Sequence, residues 1–251
     1  MSAKPNPRSH GPSHLFIKIS ISGICIVFLI VLIFGRMIFE GPGILDAISD
    51  YYYSGAMRNV FVGGLCALAI LLMCYRYQRV DTYAAIFAGV CAIGVALFPE
   101  APPQWYLNIV HTTATELQIE IGRAHWAFAA GFLLTIAYMV FFLFTKKSNN
   151  PTRRKHMRNW VYRFCSIFMA VCIMGCFLVQ TFFLSHNPWL QSHHPVFWFE
   201  TSALVWFIVA WIVKGEVLLK DKNTGLSSDK VSPGENDPKC SPSNMPAVDG
   251  Q

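Results

Sequence analysis

From Leu15 to Phe39 the chain runs 25 residues with only Lys18 and Arg36 carrying charge, a block that no water-soluble core requires. A helix of roughly 18–20 apolar residues spans the hydrocarbon of a bilayer. Five further blocks of this kind follow, at Met57–Tyr75, Thr82–Phe98, His125–Thr145, Trp160–Leu184 and Val196–Val213. Backbone polar groups in lipid must bond within the protein, so spanning segments are helices or a closed barrel. The period-two alternation of a barrel strand is absent from these blocks. Charged residues make up 14% of the chain, against about a quarter in a soluble domain. The expected fold is therefore all-α, a polytopic membrane protein with six transmembrane helices.

Polar segments bound this membrane domain, which is expected over residues 15–219. Residues 1–14 are Pro-rich and polar, and residues 220–251 have almost no large apolar side chains. Neither can bury enough surface to offset ordering, so both are expected to be disordered. Lys4, Arg8 and Lys18 give the start a signal-peptide character, but the apolar stretch is too long and no small-x-small site follows it. It is read as a retained helix.

Charge then sets the orientation. With the N-terminus in the cytoplasm, all but Arg36, Arg58 and Arg123 of the 20 Lys and Arg fall on the cytoplasmic side. Positive charge is retained on that side of membranes, so both termini are expected there. Tyr51, Tyr52, Tyr53, Trp105, Tyr106, Trp160, Trp189 and Trp198 mark the boundaries, where amphipathic rings meet headgroups. The pattern suits a bacterial inner membrane and a eukaryotic endomembrane equally, with membrane lipids as the expected partners. The basic clusters flank apolar blocks, which excludes a nucleic-acid surface and identifies no protein partner. Seven of the 8 cysteines lie in the spans and Cys240 in the tail, so there is no disulfide framework.

No span carries an ionisable group near its middle, and Gln180 is the nearest polar residue. This argues against a proton- or ion-coupled transporter, whose mechanism places charge at membrane depth. Polar chemistry gathers instead on the non-cytoplasmic side. Asp50 lies eight residues before Arg58, and the two are candidates for an ion pair or a ligand-binding pair at the entrance of the second span. Ser49 or Asp50 would equally cap a short helix. Glu116 and Glu120 share a helical face, with Arg123 placed to pair with Glu120. His125 opens the fourth span, His193 and His194 precede Pro195, and Glu200 enters the sixth span among Phe197, Trp198 and Phe199. His125, Glu200 and Asp50 are the candidate catalytic groups, since imidazole and carboxylate together provide acid–base chemistry. His125, His193, His194 and Glu200 are the candidate metal ligands, and zinc is the metal such donors would take. No HExxH or Cys/His spacing accompanies them.

Three features carry a family resemblance: Ile48-Ser49-Asp50 after the first span, His125 at the fourth, and Glu200 at the sixth. The segment from Phe197-Trp198-Phe199-Glu200 through Trp211-Ile212-Val213-Lys214-Gly215-Glu216 adds to it. In this order they resemble the six-helix autophagy-modulator (DRAM) family and its GPI-lipid-remodelling relatives. They are also similar to bacterial six-helix membrane proteins of unknown function. The likeness covers residues 15–216. In the eukaryotic relatives Ile-Ser-Asp is followed by Thr-Gly, where this chain has Tyr51-Tyr52-Tyr53. The resemblance implies a role linked to lipid or anchor remodelling, without an established reaction.

Two functions are consistent with these residues. One is a non-enzymatic membrane protein binding lipid or a partner through a polar, non-cytoplasmic pocket formed by Asp50, Arg58, His125 and Glu200. The other is a lipid-modifying hydrolase or transferase, metal-dependent or acid–base. The first is favoured because no catalytic motif is complete.

Overall fold

The computed structural model describes residues 12–145, 153–183 and 188–215. The basic segment at Lys146 and Lys147, the N-terminal residues 1–11 and the expected disordered tail at 220–251 lie outside the described residues.

Among the described residues every regular element is helical. The long helices are α1 (Pro12–Phe39), α2 (Arg58–Cys74), α3 (Arg79–Leu97), α5 (Glu116–Tyr138), α6 (Arg153–Leu178) and α8 (Pro195–Lys214). Two short helices, α4 (Gln104–Val110) and α7 (Pro188–Gln191), lie in connections, and a 3-10 turn covers Ser49–Tyr53. α5 and α6 each run on through one π turn, at Met139–Leu143 and Val179–Phe183. Five of the long helices are long and apolar enough to cross a membrane, which is the build of a multi-pass membrane protein, while α2 is apolar but shorter at 17 residues.

The long helices form a closed ring in which α1 packs on α2, α2 on α3, α3 on α5, α5 on α6, α6 on α8, and α8 back on α1. Small residues allow the closest of these approaches. Ala85, Ala88, Gly89, Ala92 and Ala96 of α3 are all buried, and a Cβ placed on Gly89 would stand 2.8 Å from the Ala69 carbonyl oxygen of α2. Such small-xxx-small rows let backbones meet where lipid supplies no hydrophobic force between helices.

The two ends of the ring differ. At the basic end, near Arg76, Arg79 and Lys214, the centre is filled by Tyr75, Phe144, Tyr162 and Trp211, all buried. Their rings stack edge-to-face, Tyr75 to Trp211 at 5.1 Å, Phe144 to Trp211 at 5.3 Å and Phe144 to Tyr162 at 5.5 Å. The Lys214 ammonium lies 4.4 Å over the Phe144 ring. The opposite, acidic end is built from connections and polar side chains.

The helix starts correct two expected boundaries. α5 begins at Glu116, so His125 sits nine residues inside it rather than opening it. The start is fixed by a capping box in which Thr115 accepts from the Gln118 amide and the Gln118 side chain accepts from the Thr115 amide. α6 begins at Arg153, so Arg153, Arg154, Lys155 and Arg158 are helical.

Candidate functional site

The α1–α2 connection organises the acidic end. Gly41 and Gly43 adopt φ of 105° and 119°, which turns the chain back over the end of α1. Arg36 donates to the Gly43 carbonyl at 2.7 Å, and Glu40 accepts from the Ser54 hydroxyl and the Ala56 amide, each at 2.8 Å. Leu45, Ala47, Ile48 and Tyr51 are thereby buried.

This connection then exchanges hydrogen bonds with α8. The Phe197 amide, otherwise an orphan donor of the helix start, donates to the Asp46 carbonyl at 2.9 Å. In return the Ile48 amide donates to Glu200 Oε2 at 2.6 Å. Glu200 is thus partnered by backbone one turn inside α8, where a carboxylate among aromatic rings would otherwise be exposed to apolar surroundings. Beside it, His194 takes φ 50° at the start of α8 and its Nδ1 lies 2.6 Å from Asp46 Oδ1.

Ser49 points the other way, and its hydroxyl donates to Glu100 Oε2. Glu100 lies in the proline-rich segment Pro99-Glu100-Ala101-Pro102-Pro103 that ends α3 and leads to α4. It is buried, and Trp126 Nε1–H and Gln180 Nε2–H also donate to it, at 3.1 Å and 2.8 Å. One carboxylate therefore ties the α1–α2 connection, α5 and α6 together through neutral donors.

Asp50 is buried as well. Burial raises its carboxyl well above the ordinary 3.8, and the negative charges of Glu100, Asp46 and Glu200 raise it further. The Ala47 amide acts in the opposite sense by bonding to the ionised form. Burial also raises the Tyr51 and Tyr53 phenols.

Three cavities surround this polar knot. The first, about 80 Å³, lies in the centre of the ring. Its walls are apolar, from α1 (Phe28), α2 (Phe61, Leu65), α5 (Ala129, Phe132) and α8 (Leu204), and its polar end is Ser49, His125 and Glu200. His125 is buried with Nδ1 2.7 Å from the Phe98 carbonyl oxygen. A carbonyl can only accept, so Nδ1 carries a proton, and when the ring holds only that proton Nε2 is an acceptor. The second cavity, about 310 Å³, is lined by Asp46, Asp50, Glu100, Gln180 and His194. The third, about 530 Å³, is lined by Tyr52, Tyr53, Arg58, Tyr106 and Gln118, with Glu100 on its wall.

The structure thus gathers Ser49, His125 and Glu200 on one cavity and separates other expected partners. Asp50 and Arg58 form no ion pair: Asp50 is buried within the 3-10 turn, whereas Arg58 is exposed. Arg58 instead donates to the Tyr52 hydroxyl at 2.8 Å and stacks 4.5 Å over the Tyr52 ring. The expected zinc ligands do not assemble either. His193 stacks on Trp189 at 4.1 Å, His194 is held by Asp46, and His125 by Phe98. Among the described residues no three His, Cys, Asp or Glu side chains are grouped to hold a metal ion. The Glu120–Arg123 pair does form, at 2.5 Å on the surface.

Glu100, Trp126 and Gln180 are site residues that sequence reasoning did not single out as a set. A glutamate between prolines at the end of an apolar helix was the available signal, because such a carboxylate has no helix face to turn to water. No known protein family matches the chain, and neither a curated protein nor a solved structure does.

Proposed function

We propose that the chain crosses the membrane six times with both termini in the cytoplasm, and that it binds lipid through the non-cytoplasmic end of the bundle. The central cavity takes an acyl chain, with the polar end of that chain at Ser49, His125 and Glu200. α2 serves as the sixth span, its ends extended to the interfaces by Arg58 and by Arg76 and Arg79. Long basic side chains reach the headgroups from just inside the hydrocarbon.

The observation that carries it is the shape and chemistry of the central cavity: apolar walls from several helices and a polar cluster at one end only. Ligand sites with this make-up fix orientation through a few placed polar groups and gain affinity from apolar burial. The test is a fatty acid carrying a photoreactive diazirine near its tail, added to the purified protein in nanodiscs. Crosslinks should map to α2 and α5, and Ala129→Phe, which adds a ring to the wall, should remove them while the thermal melt stays cooperative. Crosslinks confined to the outward helix faces, or undiminished in that variant, would refute the proposal.

A second reading has a specific observation behind it. Ser49, His125 and Glu200 share a cavity, and a neutral histidine with Nε2 as acceptor is a competent general base. In that case the protein would be an acid–base lipid hydrolase or transferase. His125→Gln would then abolish release of fatty acid from a bound ester while leaving acyl crosslinking intact.

A further inference from the structure

The bases on the acidic end are unequally engaged. Arg36 is occupied by the Gly43 carbonyl and by Glu40, whose carboxylate is 3.9 Å from Nε. Arg123 pairs with Glu120. Among the described residues no carboxylate pairs with Arg58, although it stands in the most acidic part of the molecule. Tyr52 holds the guanidinium from one ring face and through its hydroxyl, so Arg58 is exposed yet fixed in place. This leaves most of its five N–H donors for another acceptor.

The cavity that Arg58 lines is rich in donors. The Tyr52 hydroxyl accepts from Arg58 and has its own proton to give. Gln118 uses its carbonyl oxygen on the Thr115 amide, which leaves its N–H groups as donors. Tyr106 also lines the cavity. Convergent neutral donors around a guanidinium match a phosphate, whose oxygens only accept. Glu100 also lines this cavity: the Tyr53 hydroxyl donates to its backbone carbonyl, and its carboxylate, held by the neutral donors Ser49, Trp126 and Gln180, brings the one negative charge among the lining residues. An anionic ligand with no positive part would meet the Glu100 charge as repulsion. A ligand with phosphate at one end and ammonium at the other would meet complementary charge at both.

We propose that the Arg58 cavity binds the zwitterionic headgroup of a phospholipid, its phosphate on Arg58 and its ammonium on the Glu100 side. The proposal rests on the lipid-binding reading above and assigns it a headgroup class. The same chemistry occurs in a soluble phosphocholine or phosphoethanolamine, and the lipid is the source favoured here because the cavity opens at the boundary where Tyr and Trp cluster.

The test uses the full chain in detergent and four probes: dihexanoyl phosphatidylcholine, dihexanoyl phosphatidylglycerol, dihexanoylglycerol and free phosphocholine. The expected order places phosphatidylcholine at least tenfold above each of the others. Arg58→Gln should weaken phosphatidylcholine about tenfold, the loss expected for a hydrogen-bonded charge, and should leave dihexanoylglycerol unchanged. Equal or tighter binding of phosphatidylglycerol, or an unchanged affinity in Arg58→Gln, overturns the headgroup assignment. Phosphocholine binding as tightly as the lipid overturns the lipid as source. Ala129→Phe separates the two levels. If it removes phosphatidylcholine binding while Arg58→Gln does not, the acyl cavity stands and the headgroup proposal fails. If only Arg58→Gln acts, the headgroup site stands and the acyl cavity fails.

Discussion

Replacing Asp50 by asparagine removes a buried ionisable carboxyl that has three other carboxylates acting on it, while keeping an oxygen for the Ala47 amide. The sign follows from linkage. A carboxyl raised above its ordinary 3.8 holds its proton more tightly in the folded state than in the unfolded one, so stability falls as pH rises through that window. Asp50→Asn should therefore raise the melting temperature at neutral pH, by about 2–4 °C for each kcal/mol recovered. The gain should shrink as pH is lowered toward 4 and vanish below it. Thermal melts of both proteins from pH 4 to 8 check this, and an asparagine variant less stable at pH 7 would show that the charge is needed. Tyr52 makes a different point at the same scale. Its neighbour Arg58 was expected to seek Asp50, but the pair is separated because Asp50 is buried within the 3-10 turn. Tyr52, within the Tyr51-Tyr52-Tyr53 run, takes the guanidinium instead.

Helix by helix, the apolar blocks were legible because lipid forces long apolar runs into helices, and all six long helices fall where those blocks lie. Their starts were less legible. Glu116–Arg123 reads as a helical face ahead of the fourth block and not as part of it, yet it forms the first two turns of α5, begun by the Thr115–Gln118 capping box. The sequence therefore places His125 at the opening of the span, either at the interface or facing the bundle, and it proves to be buried. The α2–α3 contact was also hidden, since it depends on alanines spaced four apart with a single glycine rather than a GxxxG pair. Gly89→Ala would push a methyl to within 2.8 Å of the Ala69 carbonyl oxygen. Overpacking of that kind costs about 1–3 kcal/mol. Gly63→Ala on α2, where an added Cβ meets nothing within 4 Å, should be neutral or stabilising by up to about 1 kcal/mol. Thermal melts of the two variants in the same detergent would decide it: equal stability would mean α2 and α3 do not approach as closely as Gly89 allows. The candidate site was the least legible part. Glu100 gathers donors from Ser49, Trp126 and Gln180, on three separate segments, and no local spacing announces a meeting of that kind.

For the whole molecule, the proposed orientation has a direct consequence for reagents added from one side. Asn108 in α4 is exposed at the acidic end, and Cys74 is exposed at the basic end. In intact cells or sealed, right-side-out vesicles, a membrane-impermeant maleimide should label Asn108→Cys without permeabilisation and should reach Cys74 only after it. The reverse pattern would invert the orientation and put the cavities proposed to bind lipid on the cytoplasmic side. The aromatic filling of the basic end has its own implication. Trp211, Tyr75, Phe144 and Tyr162 close the ring below the central cavity, so that space is a cul-de-sac. If that cavity holds lipid as proposed, a molecule that settles there would come from one leaflet only and return to it, so the protein would sample a single leaflet's composition rather than connect the two.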